Sequence, residues 1–332
     1  MAGHNVSYNL RPNKFVERKL FVDLIGQICT KPKSSYVYIS MGGPQLEDHK
    51  LFHYQLGLEK LISIESEPLV YDRQRFNARP GCIDIRLQSV SELIADFAAI
   101  DEDYPNEDYI IWLDYAAANK RYEQLSEFQS LISTLNNNDF IKITVNANVT
   151  SLGERLPNES IDQLKERRLQ AVKQQLGEYF DDELFSIEDI TKNGFVKIIH
   201  RAIEIAAKKG LSDDLNYLEL LSFVYQDGPH RMINVGYKLS EKESELQELH
   251  ESLKEDWIYL PNSSTKIYSI SIPNLSVKER LYIDAKIIKE DAINIHKSLP
   301  FKFDKDERRS LETLKQYLSH YRRYPNFIDV II

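Results

Sequence analysis

Short β-rich runs alternate with helical patterns through the first half of the chain, and this alternation limits the fold more than any other sequence feature. Five such runs occur, at 36–40, 61–64, 82–87, 109–113 and 140–145. Parallel neighbours in a sheet need crossover connections, which the intervening helices can supply. The runs carry few charges, as expected for strands that helices cover on both faces. The sequence therefore predicts an α/β protein with a doubly wound, mostly parallel sheet.

The segments before and after these runs complete the predicted domain. Apolar residues recur at helical spacing over 13–29, which predicts an amphipathic lead-in helix. After the fifth run the alternation stops, and 159–210 is charge-rich and helical. Two further β-rich runs, 218–225 and 232–237, flank a turn sequence at 226–230 that is typical of a hairpin. We expect the sheet to end in this antiparallel hairpin, with the helical insertion enlarging the crossover before it.

The C-terminal part of the chain carries mostly helical patterns. Helices are expected around 241–257, 276–290 and 304–321, with a β-like run at 266–272. No low-complexity linker precedes this part, so we expect it to pack on the sheet. The predicted organisation is a lead-in helix in residues 1–35, a sheet domain in 36–240 with its helical insertion at about 159–210, and an α-rich extension in 241–332.

Composition and charge exclude several classes of protein. The net charge of -9 opposes nucleic-acid binding driven by overall charge, although it leaves room for a local basic patch. Cys29 and Cys82 have no CxxC spacing, so they support neither a disulfide framework nor a zinc ribbon. No run approaches the roughly 18 apolar residues of a membrane span, and the N-terminus lacks an apolar signal core. We therefore expect a cytoplasmic protein that does not span a membrane.

Two local clusters have functional interpretations that compete with structural ones. His49 and His53 lie one helical turn apart, but no third ligand accompanies them at a recognisable spacing, and we predict no metal. The run 320–325 combines arginines with tyrosines, which can pair with phosphates and stack on bases. Arginines at a helix end also stabilise the helix dipole, which is the favoured interpretation. Nucleic acid therefore stays an open but disfavoured partner.

Glycine or polar residues follow each of the first four predicted strands. They are Ser40 at the end of the first strand with Gly42, Gly43 and Pro44 in the turn after it, Glu65 at the end of the second, Gln88 and Ser89 after the third, and Asp114 after the fourth. Ligands of open α/β sheets bind at the carboxyl edge, where these positions meet. A glycine turn lets the backbone approach a nucleotide, and a carboxylate can accept both hydroxyl protons of a ribose. The alternative is a set of ordinary turns and helix caps.

Four segments carry a resemblance to a known family: 38–48, 62–65, 111–115 and 223–228. In these segments the chain resembles the class I S-adenosylmethionine-dependent methyltransferases, in particular bacterial proteins labelled as O-methyltransferases. The resemblance covers the sheet domain well and the C-terminal part loosely. It implies a Rossmann-like fold, S-adenosylmethionine as the cofactor, and transfer of a methyl group to an oxygen or nitrogen atom of an acceptor that the sequence does not identify.

The resemblance also implies roles for individual residues. Gly42 and Gly43 would line the methionine part of the cofactor, Glu65 would hold its ribose, Gln88 and Ser89 would flank the adenine, and Asp114 would face the methyl donor. Ser40 and Pro44 complete the candidate cofactor site, and Asp114 and Tyr115 are the candidate catalytic residues. The chain departs from the family's first motif, which has an acidic residue before its glycines, because Ser40 and Met41 stand there.

Candidate substrate-binding residues come from two helix starts. Arg11, Asn13 and Lys14 lie at the start of the lead-in helix, which in the resembled methyltransferases often crosses the open edge of the sheet as a lid. Asp48 lies in the first turn of the next helix, where the helix dipole favours an acidic side chain. The alternative for the basic cluster is a solvated helix start with a proline in its first turn.

The glycine turn and the large helical additions support a second hypothesis from a different class. The chain would then be a catalytically weak or inactive methyltransferase-like module whose helical parts bind a protein partner. Proteins of this kind often lie beside mobile-element or phage-defence genes, so by analogy this hypothesis includes a role in antiviral defence. Methylation by the isolated chain favours the first hypothesis, whereas a required partner favours the second.

Overall fold

An eight-stranded sheet organises the part of the chain that the computed structural model describes, which is residues 11–261 and 266–325. Its strands are β1 (Tyr36–Ser40), β2 (Lys60–Glu65), β3 (Ile83–Leu87), β4 (Asp108–Asp114), β5 (Phe140–Asn146), β6 (Asn216–Asp227), β7 (His230–Ser240) and β8 (Tyr268–Ile270). Across the sheet their order is β3-β2-β1-β4-β5-β7-β6-β8. β7 runs antiparallel to β5 and β6, and the other pairings are parallel.

Helices connect and cover these strands. Within the described residues they are α1 (Pro12–Ile28), α2 (Glu47–Leu56), α3 (Pro68–Asn77), α4 (Val90–Ala95), α5 (Phe97–Asp103), α6 (Arg121–Ile132), α7 (Ile161–Leu176), α8 (Lys192–Gly210), α9 (Glu243–Leu253), α10 (Val277–Asp284), α11 (Ala292–Ser298) and α12 (Glu307–His320). The helix predicted after β3 is two helices, because the backbone of Asp96 leaves the helical region at φ -95° and ψ 3°. α11 was not predicted.

The predicted Rossmann-like, doubly wound sheet with an antiparallel hairpin is confirmed, and its register sets the geometry of the carboxyl edge. Ser40, the last residue of β1, lies opposite Ser63 of β2 and Trp112 of β4. β2 and β4 therefore each extend two residues further than β1, a length of about 7 Å. Their last residues, Glu65 and Asp114, flank the turn that follows β1.

The C-terminal part contributes to the sheet as well as covering it. β8 pairs with the end of β6, where Tyr225 lies opposite Ile270. This segment belongs to the predicted α-rich extension, in which the β-like run at 266–272 is the only sign of a strand. Three residues of β8 suffice because β6 supplies the partner backbone at the edge of the sheet.

Two hydrophobic cores lie on opposite faces of the sheet. One core packs side chains such as Ile39 against α4 to α8. The other packs side chains such as Tyr38 against α1, α2 and the C-terminal helices. Because neighbouring residues of a strand point to opposite faces, both cores draw on the same strands. No described helix is long and apolar enough to pass through a membrane.

α1 is buried on most of its sides, which corrects the prediction of an amphipathic helix. Its buried residues include Glu17 and Arg18 as well as the apolar residues that face the sheet. The C-terminal elements cover the outer side of α1, and Arg323 binds Asp23 at 2.6 Å there. The sequence pattern alone could not reveal this second packing surface, because it comes from the other end of the chain.

Candidate functional site

A cleft of about 680 Å³ opens at the carboxyl edge of the sheet. The ends of β1 to β4, the start of α1 and the β6–β7 turn surround it. Eight of the predicted site residues line it: Arg11, Lys14, Gly43, Glu65, Gln88, Ser89, Asp114 and Tyr115. The other five lie beside or beneath its lining: Asn13, Ser40, Gly42, Pro44 and Asp48.

The two glycines after β1 are needed for different reasons. A Cβ on Gly42 would lie 2.7 Å from side-chain atoms of Leu46, His49 and Ser63, so tight packing beneath the turn requires this glycine. Gly43 has φ 56°, in the left-handed region that glycine adopts at little cost, and it lines the cleft. The turn thus needs one glycine for its inner side and one for its outer side.

A buried polar cluster supports this turn from below. The Asp48 carboxylate accepts hydrogen bonds from the hydroxyls of Tyr38, at 2.8 Å, and Ser40. Burial alone would raise the pKa of Asp48, but its interactions with His49, Arg18 and Ser40 outweigh burial and hold the pKa well below its usual range. The structure therefore places Asp48, with 3% of its surface exposed, beneath the turn and outside the cleft lining.

The polar residues at the end of β2 and directly after β3 line the cleft and differ in their hydrogen bonds. The Glu65 carboxylate accepts a hydrogen bond from the backbone N–H of Glu67 at 2.8 Å. The Gln88 amide donates to Asp96 at 2.8 Å, whereas its oxygen is buried without a hydrogen-bond partner among the described residues. Ser89 caps α4 and accepts from the backbone N–H of Glu92 at 3.2 Å. Ser89 therefore has the structural role of a helix cap, whatever else it binds.

An ion pair joins α1 to the end of β4. The Lys14 ammonium lies 2.8 Å from the Asp114 carboxylate, and both side chains are nearly buried. Burial alone would raise the pKa of Asp114, but the positive charges of Lys14 and Arg18 outweigh burial and hold the pKa below its usual value. Asp114 is therefore ionised at neutral pH.

Asn13 links α1 to the end of β6. Its side-chain amide donates to the backbone oxygen of Gln226 at 2.8 Å and to the Asp227 carboxylate at 3.0 Å. Its oxygen accepts from the backbone N–H of Ile272 at 2.6 Å. The backbone N–H of Lys14 also donates to Asp227, at 2.9 Å. These contacts place the side chain of Asn13 in the joint between α1, the hairpin and the C-terminal part, next to the cleft.

Tyr115 and Glu127 form a hydrogen-bonded pair in the cleft wall. The Tyr115 hydroxyl donates to the Glu127 carboxylate at 2.6 Å, and the Ser91 hydroxyl donates to the same carboxylate at 2.9 Å. Burial and the Glu127 charge raise the pKa of Tyr115 well above its usual value. The phenol of Tyr115 therefore stays protonated, and its hydrogen bond holds the Glu127 carboxylate in the cleft wall.

The hairpin brings further residues to the cleft that the sequence pattern does not predict. We call the ends of β1 to β3, with Gly43, Glu65, Gln88 and Ser89, the strand-end side. We call the opposite part, with Lys14, Asp114, Tyr225, Asp227, His230 and Met232, the hairpin side. The segment 223–228 was noted for its resemblance, but no spacing within the sequence connects it to Asp114.

The charge of the lining is mostly negative. Among the described residues, three lining side chains are lysines or arginines, and six are carboxylates: Glu65, Glu67, Asp114, Glu123, Glu127 and Asp227. Clefts lined by one sign of charge concentrate ligands of the opposite sign. This lining therefore favours cationic or neutral ligands over polyanions.

The two clusters weighed above for metal or nucleic-acid binding are packed into the fold. His49 is buried beneath the glycine turn, and no group of three or more potential metal ligands occurs in the described ranges. His320 is buried and stacks on Tyr259, with ring centroids 5.7 Å apart. Arg323 is paired with Asp23 of α1. The run at 320–325 thus packs against the C-terminal part and, through Arg323, against the lead-in helix.

The strand order, the antiparallel β7 and the position of the cleft define a class I, Rossmann-like methyltransferase fold. Residues 6–332 match the family described as "Putative O-methyltransferase", and the chain belongs to that family. The predicted family resemblance is thereby confirmed. None of the curated proteins matches the chain.

Solved structures with similarity to this chain include two methyltransferases. One is the N-methyltransferase NodS from Bradyrhizobium japonicum WM9, with 9% identity, coverage of 69% of this chain and 98% of that chain, and a TM-score of 0.36. Another is the O-methyltransferase from Bacillus cereus in complex with SAH, with 15% identity, coverage of 71% of this chain and 83% of that chain, and a TM-score of 0.35.

Proposed function

We propose that the protein transfers a methyl group from S-adenosylmethionine to an oxygen or nitrogen atom of an acceptor. The observation that carries this proposal is the placement of Glu65, Gln88 and Asp114 around one cleft, at or directly after the ends of β2, β3 and β4. The cleft volume, about 680 Å³, lies within the range of pockets that enclose small ligands and cofactors. Membership of the O-methyltransferase family supports the same reaction.

The strand-end side fits S-adenosylmethionine on two observations. The Glu65 carboxylate has acceptor capacity beyond its bond to the backbone N–H of Glu67, and a ribose offers two hydroxyl donors. The buried oxygen of Gln88 lacks a partner among the described residues, and the amino group of adenine would satisfy it. The carboxylate-rich lining also suits the positive charge of the sulfonium.

The chain's own residues have to place the acceptor, and the acceptor has to lose a proton as the methyl group is transferred. When bound, S-adenosylmethionine supplies an electrophilic methyl group, whose transfer breaks the carbon–sulfur bond and leaves a neutral thioether. The ionised Asp114 accepts a hydrogen bond from the O–H or N–H of the acceptor and so orients its lone pair. Because the lowered pKa makes Asp114 a weak base, it acts mainly by orientation, and the proton passes on to solvent. Lys14 holds the carboxylate in place.

The second candidate is a binding module with little or no turnover that acts with a protein partner, including a place in antiviral defence. One observation favours it: Asp114 is already engaged by Lys14, while Ser40 and Met41 replace the acidic residue of the family's first motif. The same ion pair serves orientation in the enzyme proposal, so we favour the enzyme.

Calorimetric titration of the full chain with S-adenosylmethionine and S-adenosylhomocysteine tests the proposal. Both ligands should bind, because the strand-end side offers the same contacts to the nucleoside part of each. If neither ligand binds at millimolar concentration, the methyltransferase proposal fails. Robust methylation by the isolated chain, combined with a pull-down that recovers no partner, would reject the binding-module alternative.

A further inference from the structure

Tyr225 is a buried tyrosine whose hydroxyl has no hydrogen-bond partner among the described residues. Only 3% of its surface is exposed, yet it lines the hairpin side of the cleft. A buried polar group without a partner costs free energy, so native proteins keep few of them, and those often serve a function. Because Tyr225 belongs to the cleft lining, its hydroxyl is a candidate partner for a group that enters the cleft.

The surroundings of Tyr225 determine what its hydroxyl can bind. Burial and the neighbouring carboxylates of Asp114 and Glu17 raise the pKa of Tyr225 well above its usual value. The phenol therefore stays protonated and can donate a hydrogen bond to an oxygen of the ligand. Met232 lies opposite Tyr225 on β7 and adds an apolar wall to the same side of the cleft.

The charge of the lining narrows the class of ligand further. Carboxylates outnumber lysines and arginines two to one among the described lining residues, and on the hairpin side Asp114 and Asp227 stand against the single ammonium of Lys14. A phosphorylated or nucleic-acid acceptor would meet repulsion there, whereas an uncharged acceptor would not. An aromatic or aliphatic body also suits the ring of Tyr225 and the thioether of Met232.

We propose that the hairpin side is the acceptor subsite and that the Tyr225 hydroxyl donates a hydrogen bond to the oxygen of an uncharged phenol or alcohol. The same acceptor hydroxyl donates its proton in a hydrogen bond to Asp114. The oxygen is thus held from two directions, which leaves a lone pair for the methyl group. This inference rests on the proposed methyltransferase function, and it narrows the acceptor to an oxygen compound without negative charge.

Tyr225→Phe tests the inference, and Tyr237→Phe is its matched control. Tyr237 is another buried tyrosine whose hydroxyl lacks a partner among the described residues, but it lies in the opposite core and outside the cleft lining. Phenol and phenyl phosphate are titrated into wild type and both variants by nuclear magnetic resonance, with and without S-adenosylhomocysteine. The affinity for S-adenosylhomocysteine and the melting temperature are measured for each protein.

We expect phenol to bind wild type and Tyr237→Phe equally, and Tyr225→Phe about five- to ten-fold more weakly, the loss of one neutral hydrogen bond. Phenyl phosphate should bind more weakly than phenol. Neither substitution should lower the melting temperature, because each removes a hydroxyl without a partner.

Several results would overturn the inference. These are equal phenol affinity of Tyr225→Phe and wild type, absence of phenol binding to wild type, and preference for phenyl phosphate. Weaker S-adenosylhomocysteine binding by Tyr225→Phe would assign the hydroxyl to the cofactor instead. A drop in melting temperature for Tyr225→Phe alone would assign it a structural role. If wild type binds no S-adenosylhomocysteine, the methyltransferase proposal fails, and the phenol comparison without it still decides the role of Tyr225.

Discussion

The two sides of the cleft are built in different ways. The strand-end side comes from one stretch of the chain, 40–89, in which each strand is followed by its own turn and helix. The hairpin side comes from α1, β4 and the β6–β7 turn, and contacts such as Asn13 to Asp227 join residues 214 positions apart. Local sequence thus defines the first side, whereas tertiary packing defines the second.

The largest expected effect concerns the strand-end side, where Glu65→Ala should weaken cofactor binding. Loss of two charge-assisted hydrogen bonds to a ribose should cost about 2–4 kcal/mol, roughly thirty- to nearly a thousand-fold in affinity. Calorimetric titration with S-adenosylmethionine measures the change. Because Glu65 is the half-buried last residue of β2, outside the buried middle of the strand, its replacement should leave the melting temperature unchanged.

Glu67→Ala is the matched control for this prediction. Glu67 lines the same cleft two residues further on, and only its backbone N–H binds Glu65. We expect nearly wild-type affinity from this variant. Wild-type affinity of Glu65→Ala would instead show that the cofactor is not held at the end of β2, and the function would then rest on the family and fold.

Particular residues show what could be predicted from the sequence and what could not. The ends of β1 to β4 and the hairpin were predictable, because β-rich runs and turn signals are local patterns. Asp48 was predicted as a substrate contact, but the structure places it beneath the glycine turn, because its neighbours Tyr38 and Ser40 supply hydrogen-bond donors on the inner side. Tyr225 was not predicted, since its position beside Asp114 depends on the order of the whole sheet.

Substitutions on the hairpin side should instead lower the stability of the fold. Asn13→Ala tests this expectation. The substitution removes the hydrogen bonds to Gln226 and Asp227 and leaves the buried N–H of Ile272 without its acceptor. We expect a loss of about 2–3 kcal/mol in the free energy of unfolding. Chemical denaturation measures it, with Asn294→Ala, an exposed position in α11, as the control that should change little. Equal stability of Asn13→Ala and wild type would mean that α1 is held by other contacts.

The layer that covers α1 should make folding depend on pH through His320. Burial, together with the charge of Arg323, lowers the pKa of His320 to about 4. In the unfolded chain a histidine has a pKa of about 6.5, so below that pH the unfolded state binds the proton and the folded state does not. Stability is therefore lost as the pH falls from about 6.5 to about 4.

The size of this pH effect is measured by comparing the free energy of unfolding of wild type with that of His320→Phe. The variant keeps an aromatic ring against Tyr259. Between pH 7 and pH 5, wild type should lose about 2 kcal/mol more than the variant in the free energy of unfolding. Between pH 7 and pH 8 the two should change in parallel, which serves as the internal control. Parallel curves over the whole range would show that His320 is exposed to solvent in the folded state.

The smallest and most local effect concerns the ion pair that joins α1 to the end of β4 on the hairpin side. Lys14→Met tests it. Burial raises the pKa of Asp114, and Lys14 is the largest of the opposing influences that keep it below its usual value. Without the ammonium, the pKa of Asp114 should rise, so the carboxylate takes up a proton at a higher pH than in wild type. Carbon-13 resonances of labelled aspartate carboxyl groups measure this titration, with Asp114→Asn used to assign the signal. Lys120→Met is the control, because Lys120 lines the same cleft but forms an exposed pair with Glu123. This variant should leave the Asp114 titration unchanged. A shift of the same size in both variants would mean that Asp114 responds to the general charge of the cleft and not to its bond to α1.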